Sequence, residues 1–317
     1  MKDWTRREFV GAGTGAIATA AFARPGPAAE TARRGFAGTL CLFSKHLPGL
    51  DALHLGRAVK GLGFAGVDLT VRPGGHVLPE RAPADFPPFL KTLREEGLQV
   101  PMITTALVSA NEPSARPILE TAGRHEVAFF KPGYFRYAFA DVRQELEVAR
   151  VELRGLAELA ARFGVQLGYH NHAGYIGGPV WDVARIMDRL DPRWAGYYFD
   201  VRHAVVEGGD GGWRSALNLV APRLKMVAIK DFFWEKTPGG WRQRNCPLGE
   251  GMVDWKAFLS ALAKAGFHGP VSLHIEYEIP GATPAARQDN TLAAATRDLA
   301  FLKAGLAEAY GGPRAAW

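Results

Sequence analysis

The 317-residue chain is 47% hydrophobic, ample for one large core, and it holds no run of about 18 apolar residues that would span a membrane. Its net charge of +6 is carried without any block of consecutive basic residues, so the surplus gives no support to a nucleic-acid partner.

At the N-terminus, Thr5-Arg6-Arg7-Glu8-Phe9-Val10 is a twin-arginine string. A weakly apolar, Gly/Ala-rich stretch follows, ending in the small-x-small site Ala21-Phe22-Ala23. Residues 1–23 are therefore expected to be a twin-arginine signal peptide, which places the mature protein in the periplasm or otherwise outside the cytoplasm. Removing them takes away Lys2, Arg6 and Arg7 against Asp3 and Glu8, which leaves a net charge of +5. A Pro/Ala/Gly-rich tether is expected at 24–35, a folded region at 36–310 and a short tail at 311–317.

From residue 36, strand-like and helix-like stretches alternate without interruption. Apolar runs at 40–43, 66–69, 100–103, 127–130, 165–167, 197–199, 224–229 and 271–275 read as strands. Helical patterns follow them at 51–62, 86–96, 114–125, 142–163, 181–190, 213–220, 254–265 and 285–310. In the fourth helix Leu146, Ala149, Leu153, Leu156 and Ala160 share a face. Gly63, Gly97, Gly164 and Gly266 stand just before the next strand, where a left-handed residue closes a helix. Eight such units with no dividing linker predict one α/β domain, a (β/α)8 TIM barrel. The two cysteines, Cys41 and Cys246, are expected as buried free thiols, although an oxidising compartment permits a disulfide.

Polar strings recur where the apolar runs give out: Tyr169-His170-Asn171-His172, Phe199-Asp200-Val201-Arg202-His203, Ile229-Lys230-Asp231 and His274-Ile275-Glu276-Tyr277-Glu278. His170 to Asp200 and Asp200 to Lys230 are each 30 residues, the length of one strand plus one crossover helix. Barrel enzymes build their chemistry from the C-terminal ends of several strands. His170 and His172 are two apart and are expected on one strand face, as are His274 and Glu276, while His203 is expected to cap the rim. A lone strand histidine is usually a core residue, but two pairs beside Asp200 and Glu276 point to a functional cluster. It suits a divalent metal such as Mn2+, Zn2+ or Mg2+, and it equally suits proton abstraction next to a carbonyl. Arg72 and His76 in a Gly-rich turn, with Lys131, Arg136 and Trp181, and with Trp234 and Arg244 in a long loop expected after the seventh strand, are rim candidates for holding a polyol. For Arg136 and Arg244 a solvated loop charge is the plainer reading.

Taken with Pro247-Leu248-Gly249-Glu250-Gly251, these strings resemble the sugar phosphate isomerase/epimerase proteins of the xylose isomerase-like, apurinic-endonuclease-like TIM-barrel superfamily, including its twin-arginine-exported members. The resemblance covers roughly residues 36–305. It implies a divalent metal held by carboxylates and one His, polarising a sugar's oxygens while two acid/base groups move protons. Residue by residue, it makes Asp200, Glu276 and His170 metal ligands, with His274 or His172 replacing a missing one. It makes Glu276 and His170 the acid/base pair. It makes His203 a substrate contact or a support behind one; from their own places at the strand ends and rim, Lys230, Arg72, His76, His172 and Trp234 are also expected to contact substrate. The seventh-strand position, commonly His, is Ala228, and the fifth-strand position, commonly Glu, is His170. A metal-free site in which Lys230 supplies the positive charge therefore stays open.

The expected function is an exported isomerase, epimerase or related lyase acting on a small sugar, keto-sugar or sugar-like acid. The alternative is a non-catalytic carbohydrate-binding barrel whose metal site has decayed. A phosphodiesterase of the apurinic-endonuclease kind is disfavoured, because the seventh-strand His is missing and export removes the chain from DNA. A homo-oligomer is left open.

Overall fold

The computed structural model describes residues 35–311, so the expected signal peptide, the tether before Gly35 and the tail beyond Gly311 lie outside the described residues. All eight expected strands form. They are β1 (Leu40–Phe43), β2 (Gly66–Val71), β3 (Gln99–Thr105), β4 (Phe129–Lys131), β5 (Gln166–His170), β6 (Ala195–Asp200) and β7 (Leu224–Ile229), then, after the hairpin strands β8 (Asp231–Thr237) and β9 (Gly240–Cys246), β10 (Val271–Leu273). β1 to β7 pair in sequence order, and β10 pairs with both β7 and β1 to close an eight-stranded parallel barrel. Parallel strands of this kind are covered on both faces, and every residue of β2 and β6 is buried.

The outer ring is α1 (Ala52–Gly61), α2 (Ala82–Glu95), α3 (Ala115–Arg124), α4 (Val142–Ala161), α5 (Trp181–Met187), α6 (Val201–Val220), α7 (Trp255–Lys264) and α8 (Pro284–Gly311). Asp51, Asp141 and Asp254 start α1, α4 and α7 by accepting first-turn backbone N–H groups. The four glycines before the strands have φ of 88° (Gly63), 75° (Gly97), 74° (Gly164) and 68° (Gly266), the left-handed caps expected of them. Between helices and sheet, Phe258 meets the rings of Phe199, Trp213 and Trp255 at centroid distances of 6.2, 6.0 and 6.1 Å. Truncating so buried a ring costs about 3–5 kcal/mol.

Three expectations change. The stretch after the seventh strand is not a loop: Asp231–Thr237 and Gly240–Cys246 pair antiparallel across the turn at Gly240, whose φ is 105°. The eighth barrel strand ends at Leu273, so His274 and Glu276 leave the sheet and need not face the same way. Helix α6 begins at Val201 rather than near Trp213, because Asp200 caps it, and a kink at Gly209 (φ 61°, ψ −158°) divides it. Cys41 and Cys246 are buried free thiols. No helix among the described residues is long and apolar enough to cross a membrane.

Candidate active site at the C-terminal rim

Asp200 ends β6 and caps α6, so its backbone and side chain are both committed. Its Oδ1 accepts the His203 backbone N–H at 3.2 Å, and Asn171 clasps its main chain. The other oxygen, Oδ2, has His170 Nε2 at 3.1 Å and Lys230 Nζ at 3.2 Å, with His203 Nε2 at 3.8 Å. Burial pushes this carboxyl up, but the Lys230 ammonium and the neighbouring imidazoles hold it well below the usual carboxylate range. It is an anion, and an anion only accepts hydrogen bonds. His170 therefore donates from Nε2 and accepts the Tyr134 hydroxyl proton at Nδ1, 2.7 Å away. Burial lowers the His170 pKa to about 4, so the ring is neutral at pH 7.

Lys230 follows β7 and shares its inward face with Ala228 and Met226, two and four residues back. Those two pack with Met102 and Tyr198 as an apolar floor inside the barrel. The Lys230 ammonium, 3% exposed, spans from Asp200 to Glu276 Oε2 at 3.0 Å. Lys45, beyond β1, takes Glu276 Oε1 at 3.1 Å. Burial opposes ionisation of Glu276, yet these two ammonium groups hold its carboxyl far below the usual range. Beside Glu276 opens a cleft of about 790 Å³ lined by residues that include Phe233, Asn245, Tyr277, Glu278 and Arg297.

A second polar layer lies deeper. Asp68 of β2 accepts from Thr104 (2.8 Å), Ser272 (2.9 Å) and Tyr198 (3.2 Å). With its only proton given to Asp68, the Tyr198 oxygen accepts from His274 Nε2 at 3.0 Å. His274 thus belongs to this layer rather than to the Asp200 cluster. Its ring stacks on Phe43 at 4.5 Å, and its Nδ1 is buried without a partner.

Of the other expected contacts, His172 joins the rim and lies against the His203 ring at 3.9 Å. Arg72 lies over the Phe43 ring. His76 pins its own turn: Nδ1 meets Thr70 and Nε2 meets the Leu47 carbonyl, so neither nitrogen is left for a ligand. Trp234 sits on the outer hairpin, edge-on to Phe232. Lys131 is buried beneath Tyr134, Arg136 lies over Tyr175, Arg244 pairs with Glu235 across the hairpin, and Trp181 is half exposed at the start of α5. Sequence reasoning passed over Lys45, Asp68, Tyr134, Tyr198, Arg202 and Asn245. Asp68 was the most findable, as a lone acid inside an apolar strand.

The divalent metal implied by the resemblance has a place to be tested here. Ligand-type atoms of His170, Asp200 and His203 lie within 4.8 Å of one another, a spacing that suits one ion, and His203 Nε2 is buried and unpaired. The hydrogen polarity does not suit it. Arg202 Nη1 is 3.0 Å from His203 Nδ1, and a guanidinium only donates. Nδ1 therefore accepts, and the proton of this neutral, buried ring sits on Nε2, the atom facing Asp200. A metal-bound imidazole has the reverse arrangement, with a lone pair on the metal and the other nitrogen donating outward.

Comparison with known proteins agrees with the barrel. An inosose dehydratase of Lacticaseibacillus casei is 25% identical over 151 residues, covering 44% of this chain and 50% of that protein. The chain thus matches about half the length of such curated relatives. A xylose isomerase-like TIM barrel protein from Mycobacterium smegmatis, solved in complex with magnesium, superposes with TM-score 0.64 at 17% identity, over 86% of this chain and 98% of that one. D-psicose 3-epimerase from Clostridium cellulolyticum H10, solved with D-tagatose, gives TM-score 0.65 at 14% identity, over 84% and 99%. At such identities the solved structures establish the fold alone. The family described as xylose isomerase-like TIM barrel matches residues 57–304, and the chain belongs to that family.

Proposed function

We propose that this protein is an isomerase, epimerase or related lyase that moves a proton at the carbon next to the carbonyl of a sugar, keto-sugar or similar polyol. The observation that carries this reading is the contact between the Glu276 carboxylate and the Lys230 ammonium, 3.0 Å apart at the barrel mouth beside a cleft large enough for such a ligand. Glu276 takes the proton from carbon. The carbonyl oxygen gains negative charge as it does so, and an ammonium already fixed there stabilises that charge. Returning the proton gives isomerisation or epimerisation; expelling the hydroxyl on the adjacent carbon as water, with the proton that Glu276 has taken, gives elimination. The names of the relatives, a dehydratase of inosose and an epimerase of psicose, support a keto-polyol substrate and both outcomes.

Lys45, nearly half exposed, is free to move aside when substrate enters, and its departure raises the basicity of Glu276. His170 has both ring nitrogens engaged, so we assign it to holding Asp200 and Tyr134 in place. Arg6-Arg7 supports the further proposal that the protein works outside the cytoplasm. The test of the reaction class is deuterium incorporation from D2O at the carbon next to the carbonyl. Tight binding without exchange across a broad keto-sugar panel would favour the non-catalytic alternative.

A further inference from the structure

Four strand ends would normally surround a divalent ion in the arrangement implied by the sequence resemblance; Asp200 and Glu276 match two of them, and this chain departs at the other two. On β7 the position is Ala228, which lies in register with Asp200 on the neighbouring strand and offers only a methyl group. On β5 it is His170, whose Nε2 proton points at Asp200. The His203 ring, the remaining imidazole of the cluster, is fixed in the wrong polarity by Arg202. That arginine cannot turn away freely: its Nε donates to Asn245 Oδ1 at 3.1 Å, and its plane lies over Phe232, both on the hairpin. At the last strand end, the buried Lys230 ammonium occupies Glu276 Oε2, and the exposed Lys45 ammonium balances Oε1 until a substrate enters.

We propose that the ammonium of Lys230 is the resident cation of this rim and that the site excludes a divalent metal. Two carboxylates, Asp200 and Glu276, face two ammonium groups, Lys230 and Lys45, so the local charge is already balanced. A divalent ion placed on Asp200 would sit beside an ammonium 3.2 Å from the same oxygen. Burial removes the water that would screen them. An ammonium is also a hydrogen-bond donor, so Lys230 supplies to a substrate oxygen the positive charge that a metal supplies elsewhere. This rests on the geometry around Asp200 and deepens the proposed reaction by naming its electrophile.

The experiment is equilibrium dialysis of the EDTA-stripped protein against Mn2+, Zn2+ and Mg2+ in turn, with metal content read by elemental analysis. The wild type is expected to retain no stoichiometric ion. The variant Lys230→Met/Arg202→Gln removes the competing charge and lets the His203 ring reverse. It is expected to bind Mn2+ or Zn2+ about 10- to 100-fold more tightly than wild type. One ion per wild-type chain, lost in Asp200→Ala, overturns the proposal. So does a double variant that keeps its circular dichroism spectrum yet gains no affinity. A metal-free protein that also fails to exchange deuterium would sink the reaction class and leave the cation assignment standing.

Discussion

Asn171 and Asp200 hold each other by their main chains: Asn171 Nδ2 donates to the Asp200 carbonyl at 2.9 Å, and the Asp200 N–H donates to Asn171 Oδ1 at 2.7 Å. One side chain thereby closes both backbone groups of the residue at the centre of the rim, where β6 has ended and α6 begins. Both residues are buried, so no water replaces what is lost.

Asn171→Ala should cost about 2–6 kcal/mol in unfolding free energy, because two buried backbone groups lose their partner at about 1–3 kcal/mol each. Urea denaturation measures it. A loss below half a kcal/mol, within the range of ordinary surface changes, would show that the clasp does not hold Asp200.

Asp68 should make stability depend on pH in an acid range. Burial raises its pKa from 3.8 to about 6, against the three hydroxyls that lower it. The folded state then binds a proton more readily than the unfolded chain. This contribution to stability is present below about pH 4 and is lost as pH rises through about 6. Comparing wild type with Asp68→Asn cancels the other titrating groups. Between pH 7 and 4 the difference should move by roughly 2–3 kcal/mol in favour of wild type. Parallel pH curves for the two proteins would count against a buried, titrating Asp68.

The barrel was legible in the sequence because its signals are local. Gly63, Gly97, Gly164 and Gly266 mark helix ends by a backbone demand that few residues other than glycine meet, and the apolar runs between them have strand length. Asp200 and Lys230 stood out by their 30-residue spacing. What was not legible depends on pairs brought together only by closure of the barrel. Lys45 reaches Glu276 across 231 residues, and Tyr198 reaches Asp68 across 130. The role of Arg202 is set by Asn245, 43 residues on, in a hairpin where the sequence reading expects a loop. The signal there is the two-residue turn Pro238-Gly239, which separates two pairing strands. The expected partnership of His274 with Glu276 assumed a strand two residues longer than the one that forms.

Export should require the paired guanidinium groups. With Arg6→Lys and Arg7→Lys together, cell fractionation should find the precursor retained in the cytoplasm and little mature protein outside it. An undiminished periplasmic yield would remove the argument for a twin-arginine signal.

The most direct test of the account is deuterium exchange by Glu276→Gln. The amide keeps the size of the side chain and loses the base, so exchange at the carbon next to the carbonyl should slow by about 10²–10⁴-fold while substrate binding persists. Keto-sugars and keto-cyclitols, incubated in D2O and followed by NMR, supply the readout. A wild-type protein that exchanges and a Glu276→Gln variant that binds but does not is the predicted result. Exchange at the wild-type rate in Glu276→Gln would contradict the central claim, since the proton would then be leaving to some other group.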